Sequence, residues 1–462
     1  MAVTRLGNIE SARNTVCRTD YCLTKMQALL FGQTNKAVVW KTVLERVVAT
    51  TYLLYHNIKI SFYIIIMSNQ NEIPGNTDLS SYELSRPTIT SLEHPSQRPA
   101  VILATNDVND VSLFLNGLTQ NILILYDLFE SLGYDSYLIQ HNPNNPTEKK
   151  GFIHRYRTIT PKELIQHPMP IKTLIEIGMS LDSVTRAYLR SIGAKITKLY
   201  LGNILNIDIE TIQNCPSVFF NHHIVGEIDE IWTSPHYKQH MDYAALLNQT
   251  EMCNGRVVPY VWDPCFINYY GTRDTIEWIP PEDWRTTNIV IMDPNISFQK
   301  CFFYSLLLVE AFSKKYPEWK GKVHVINGDR ANLQANARNI VLPSLSLYQQ
   351  NRIVLTGRKN IHTILTENRS GCFITHQWNN DFNYMTLELM YCNYPILHNS
   401  EGWAAFGYHY DINQWNKAID TLHRALTDHT HNLNIYKTHA ANLIWKHSIH
   451  HPDIQAEWRT CL

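Results

Sequence analysis

From Ala100 to Gln140 the chain reads AVILATNDVNDVSLFLNGLTQNILILYDLFESLGYDSYLIQ. The opening run AVILAT is apolar and short, the signature of a strand covered on both faces of a parallel sheet. After the polar turn NDVND, residues Phe114, Leu118, Ile122, Leu125, Phe129 and Leu132 recur at helical spacing. Gly133 then stops the helix and DSYLIQ begins a second strand. Strand, helix and strand in that order form the right-handed crossover from which parallel sheets are built.

Downstream, TLIEIG, AKITKLYL, SVFFNH, DEIWTS and RVVPYV are further strand candidates, separated by helical or loop stretches. This alternation predicts an open, doubly wound α/β sheet. Ligands of such sheets gather beyond the carboxyl ends of the strands. That singles out Asn106, Asp107, Gly117, Gly178, Asn221, His222, His223 and Ser234. Gly117 sits near a helix start, where a missing Cβ lets backbone N–H groups approach a phosphate; an ordinary turn glycine accounts for it equally well. His222 and His223 end SVFFNH, where an imidazole could bond a sugar hydroxyl or accept a proton; a pair satisfied by loop carbonyls is the alternative.

The pattern restarts at Asn288: NIVIMD as a strand, NISFQK as a loop and CFFYSLLLVEAFSKKY as a helix. KVHVING gives another strand, and the chain is then less regular until RIVLTG, ILTENR and GCFITH. A second doubly wound domain is the simplest account. The Pro-, Trp- and Gly-rich segment from Asn268 to Arg285 suits a linker between the two halves.

The sequence upstream of Ala100 looks foreign to this design. Residues 1–66 include TTYLLYHNIKISFYIII, too short and too interrupted for a firm membrane span and without a signal-peptide cleavage site. We read them as a doubtful extension preceding a start at Met67, with a weak membrane anchor as the alternative. Residues 67–98 read as a flexible lead-in. A net charge of −1 removes the electrostatic case for nucleic acid. The nine cysteines are scattered, with no CxxC pair, so neither a zinc ribbon nor a disulfide framework is indicated; a reducing compartment, the cytoplasm, suits them.

The sharpest constellation is HQWNNDFNYMTLELMYCNYPILHNSEGW, from His376 to Trp403. A polar loop leads into a short helix bearing Glu388, and Asn393-Tyr394-Pro395 breaks it before the strand ILHNS. A carboxylate on such a helix can accept both hydroxyls of a ribose, while helix N-terminal amides hold a diphosphate. Lys300 follows the first strand of this half and is placed to neutralise the same diphosphate, although a loop lysine is most often simply solvated.

In these motifs the chain resembles the GT-B glycosyltransferases, especially the retaining family of sucrose-phosphate synthases and capsule or lipopolysaccharide enzymes. A small group of bacterial and giant-virus proteins shares this style. The resemblance runs from about Ala100 to the C-terminus in order of elements, with short motifs only. It implies two Rossmann-like domains facing a central cleft: an acceptor-side domain over 99–267, a linker over 268–285, a nucleotide-sugar domain over 286–431, and a helical tail over 432–462 crossing back to the first. In that pattern Gly117 matches the glycine near the donor phosphate, and FFNHH the strand delivering a sugar-contacting histidine, His222 or His223. Lys300 matches the diphosphate lysine, and TLELMYCNYPILHNSEGW the ribose-binding helix, with Tyr384 and Glu388 at the donor.

Two departures stand out. The family has a glutamate where this chain has Asn380, and an arginine is missing near Asp293-Pro294. The resemblance implies a UDP- or GDP-linked sugar donor, a glycan or glycoprotein acceptor, retention of configuration and no tightly held metal or other cofactor; the chain has no Asp-x-Asp motif. An inverting route with a histidine base, a catalytically idle nucleotide-binding protein and a sugar-nucleotide epimerase are the competing readings.

Overall fold

The computed structural model describes residues 98–105, 108, 113, 117–140, 152–214, 226–269, 273–295 and 297–462. Strand candidate SVFFNH and residues Asn106, Asp107, Asn221, His222 and His223 lie outside these, as does everything read upstream of Arg98.

Among the described residues, thirteen strands pair into two sheets, and every pairing is parallel. The first contains β1 (Ala100–Ala104), β2 (Asp135–Ile139), β3 (Thr158–Ile159), β4 (Ile171–Glu176), β5 (Lys195–Tyr200), β6 (Glu230–Thr233) and β7 (Gly255–Val257). Its order is β3-β2-β1-β4-β5-β6-β7. The second contains β8 (Ile289–Ile291), β9 (Val323–Val325), β10 (Ile353–Leu355), β11 (Cys372–Ile374), β12 (Ile396–His398) and β13 (Tyr408–His409), in the order β10-β9-β8-β11-β12-β13. Each sheet runs outward in one direction from its first strand and then in the other. The reversal falls between β1 and β4 in one sheet and between β8 and β11 in the other, and such switch points are where doubly wound sheets bind ligands.

The sequence dictates this locally. All five residues of β1 are buried, as are all three of β8, because helices cover both faces. The helix Gly117–Ser131 turns Ile122, Leu125 and Phe129 into the core and ends at Gly133, whose φ of +95° a side chain would resist. ILTENR is not part of the strand pattern: its first residues complete the helix Ile361–Glu367, which Asn360 caps by accepting from the Thr363 amide at 2.8 Å.

Both sheets lie within one compact unit, Pro87–Leu462. The terminal helix Pro452–Cys461 packs on the first sheet, with Trp458 edge-on to Phe129 at 5.4 Å and to Trp232 at 5.7 Å. The Lys195 ammonium donates to the Cys461 carbonyl at 2.7 Å and secures that end.

Candidate functional site

The carboxyl ends of β1, β4 and β5 and those of β8, β9, β10 and β11 open on one cleft of about 670 Å³. Gly117, Gly178 and Lys198 line it from the first sheet; Lys300, Arg358, Asn380 and Glu388 line it from the second. Six of the residues singled out in the sequence therefore meet here: Gly117, Gly178, Lys300, Asn380, Tyr384 and Glu388.

Glu388 belongs to the helix Tyr384–Tyr391, which starts at Asn383 with its side chain accepting from the Met385 amide at 3.1 Å. The helix is apolar on nearly every side, and Leu387, Leu389 and Met390 are fully buried. Glu388 is its one charged residue, 7% exposed, and its carboxylate makes no hydrogen bond or ion pair among the described residues. Burial alone pushes its pKa up to about 7.

Lys300 closes a short turn, Phe298–Lys300, that leads into the helix Phe302–Lys315. Its ammonium likewise makes no hydrogen bond or ion pair among the described residues; burial lowers its pKa and the charge of Asp293 opposes that shift. Asp293 is fully buried at the end of β8 and is occupied elsewhere. It accepts from Thr375 Oγ1 at 2.7 Å, Gln377 Nε2 at 2.8 Å, Ser305 Oγ at 3.2 Å and the His376 amide at 3.3 Å. It thus holds the loop after β11 in place.

Asn380 is held from both sides. Tyr237 of the first half donates its hydroxyl proton to the amide oxygen, and the Asn380 amide donates to Gln377 Oε1 at 2.9 Å. The Tyr384 hydroxyl is committed to the Val261 carbonyl at 2.7 Å, so this residue offers the cleft its ring. That ring faces Gly117: a Cβ there would sit 3.8 Å from Tyr384 Cδ2, an ordinary contact. Gly178 differs, with φ +73° and a would-be Cβ 3.1 Å from Leu118.

Several cleft residues were not singled out in the sequence. Lys198, on β5, reaches Ser180 Oγ at 2.7 Å and the buried Glu176 carboxylate at 3.6 Å, and burial lowers its pKa to about 8. Arg358 follows β10. Tyr260 packs against Phe382 at 5.3 Å and Tyr384 at 5.5 Å, walling the cleft between the halves. A lysine inside the apolar pattern AKITKLYL was the available signal for Lys198.

Two parallel, doubly wound sheets with their carboxyl ends facing one cleft define the GT-B glycosyltransferase fold. Solved structures agree: a trehalose-6-phosphate synthase, OtsA, matches with TM-score 0.52 at 11% identity, covering 78% of this chain and 98% of its own. A trehalose-6-phosphate structure from E. coli bound with UDP-2-fluoro glucose matches with TM-score 0.51 at 12% identity, over 78% and 98%. At these identities the likeness is one of fold. By sequence, the chain belongs to the family described as protein of unknown function (DUF2827), whose model matches residues 102–462. No curated protein matches. Among the described residues, no helix is long and apolar enough to cross a membrane.

Proposed function

We propose that the protein transfers a sugar from a UDP- or GDP-linked donor to a hydroxyl of a glycan or glycoprotein acceptor. The observation that carries this reading is Glu388, a buried carboxylate with no partner among the described residues, facing the cleft beyond the switch point of the second sheet. A buried carboxylate without donors is costly. The vicinal hydroxyls of a ribose would supply two. Lys300, likewise without a partner among the described residues, is suited to the diphosphate, and the N-terminus of the Tyr384–Tyr391 helix opens on the same space.

In the reaction, the acceptor oxygen bonds to the anomeric carbon as the bond from that carbon to the diphosphate oxygen breaks. The acceptor proton passes to the departing phosphate oxygen and the nucleoside diphosphate leaves. Charge grows on the departing phosphate, where a fixed ammonium and helix dipole lower the barrier. We expect retention of configuration and activity in EDTA; strict dependence on added manganese would overturn the metal-free route. An inverting route would call on His222 or His223 as base, and NMR of the product linkage distinguishes the two.

Asn380 favours a second reading, that of an idle nucleotide-binding protein. Its amide is bound to Tyr237 and Gln377 at the position where the resemblance places a glutamate. A thermal-shift panel of nucleotide sugars tests binding first; donor hydrolysis then separates the two. Binding without any sugar release supports the idle protein. No binding of any nucleotide overturns both.

A further inference from the structure

The helix His429–His447 ends on a histidine that ties three parts of the chain together. Its Nδ1 lies 3.0 Å from the Tyr260 carbonyl oxygen, and its Nε2 lies 3.0 Å from the indole nitrogen of Trp403. Its own carbonyl accepts from the Trp262 amide at 2.8 Å. An indole N–H only donates, and a carbonyl only accepts. Nε2 is therefore the acceptor and Nδ1 carries the proton, so the two bonds together require a neutral ring in one tautomer. Burial lowers the imidazole pKa; the Tyr260 bond opposes that, and the charges of Lys446 and His451 lower it further.

Tyr260 and Trp262 stand on either side of Val261. The Val261 carbonyl accepts from the Tyr384 hydroxyl at 2.7 Å, and Tyr384 opens the helix that carries Glu388. Trp403 supports the same wall from the second half, with its ring stacked on Phe382 at 4.7 Å and 9°. Phe382 packs on Tyr260, and the His236 ring of the first half meets it at 4.9 Å. Tyr260, Phe382, Tyr384 and Glu388 all line the cleft; His447 acts through them.

We propose that His447 is a positioning residue: by holding Tyr260, Trp262 and Trp403 it fixes the Glu388 helix against the first half, and so sets how tightly the cleft holds a nucleotide. The inference rests on the nucleotide-sugar reading of that cleft. It is tested by titrating UDP and GDP into wild type, His447→Phe and His447→Asn by calorimetry, with a thermal melt of each protein. Phenylalanine fills the space and makes neither side-chain bond. The asparagine amide nitrogen stands where Nδ1 stands, so it keeps the bond to the Tyr260 carbonyl and gives up the one from Trp403. NMR of wild type labelled at the histidine nitrogens reads the tautomer.

The expected result is the Nδ1–H tautomer at His447 and a Tm lowered in both variants. His447→Phe binds the nucleotide about tenfold more weakly than wild type, and His447→Asn stays within about threefold, because one neutral hydrogen bond is worth about that difference. Rescue by asparagine separates positioning from a general loss of stability. Wild-type affinity in His447→Phe, or equal losses in the two variants, overturns this proposal and leaves the nucleotide site standing. So does a proton on Nε2 of His447, a result that depends on no variant folding. Wild type that binds neither nucleotide overturns the nucleotide reading and this inference with it.

Discussion

The Tyr237 hydroxyl donates a hydrogen bond to the Asn380 amide oxygen, joining the turn after β6 of one sheet to the loop after β11 of the other. Asn380 passes the connection to Gln377, and Gln377 to the buried Asp293. The chain of bonds spans the wall of the cleft. Asn380→Ala leaves the Tyr237 hydroxyl and the Gln377 carbonyl unpaired in buried surroundings, at about 1–3 kcal/mol. We expect a lower Tm for Asn380→Ala and for Tyr237→Phe. The double variant should lose less than the sum, because both remove one bond. Additive losses in scanning calorimetry would show that the bond does not couple the halves.

Glu388 makes stability and binding respond oppositely to pH. Its pKa is near 7 when folded against an ordinary 4.5, so the folded chain holds the proton more tightly between those values. Its contribution to stability therefore falls as pH rises from about 4.5 to 7. Glu388→Gln should raise the Tm of the ligand-free protein at pH 8, by a stabilisation on the order of 1–3 kcal/mol, with the difference shrinking at pH 5. Ribose hydroxyls bind the charged form best, so wild-type nucleotide affinity should fall up to about tenfold per unit below pH 7. The Gln variant should bind more weakly with a flat profile. Calorimetry at pH 6, 7 and 8 checks both.

The fold was legible where one element decides its own partners. AVILAT and NIVIMD are apolar without alternation, which only a strand covered on both faces tolerates, and each proved an interior strand beside its sheet's switch point. Glu388 stood out for a related reason: a lone carboxylate on an apolar helix needs an explanation. ILTENR misled because a short apolar run does not separate strand from helix, and the cap at Asn360 decided it. His236 and Lys198 were not legible, since their significance lies in neighbours distant in sequence. Lys198 acts on Glu176 of the adjacent strand, and His236 of the first half meets Phe382 of the second. Asn380 and Tyr384 were legible as positions in a motif, but not as residues committed to Tyr237 and Val261.

Lys300 should matter to ligand and not to fold. Its ammonium supports no hydrogen bond or ion pair among the described residues, so Lys300→Met removes only its longer-range attraction to Asp293. It also relieves a desolvated charge. We expect an unchanged or slightly higher Tm without ligand. Nucleoside diphosphate affinity should fall about tenfold to a hundredfold, the worth of a charge-assisted hydrogen bond. Nucleoside affinity, lacking the diphosphate, should be unaffected. Equal losses for uridine and UDP in calorimetric titrations would place Lys300 away from the phosphates.

The two cleft glycines should separate on substitution. Gly178 has φ +73°, and a Cβ there meets Leu118 Cδ2 at 3.1 Å. Gly178→Ala thus adds backbone strain to a crowded contact, destabilising by about 1–2 kcal/mol. Gly117 lies in a helix and not in the left-handed region, and a Cβ there would touch Tyr384 at an ordinary 3.8 Å. Alanine is the better helix former, so Gly117→Ala should fold with an equal or higher Tm. Its added methyl projects toward the cleft rather than into backbone. Any loss of nucleotide affinity in this variant then reports close approach of the ligand to Gly117. Thermal melts of both variants, followed by UDP titration of Gly117→Ala, make the comparison; a Tm drop at Gly117 as large as that at Gly178 would contradict it.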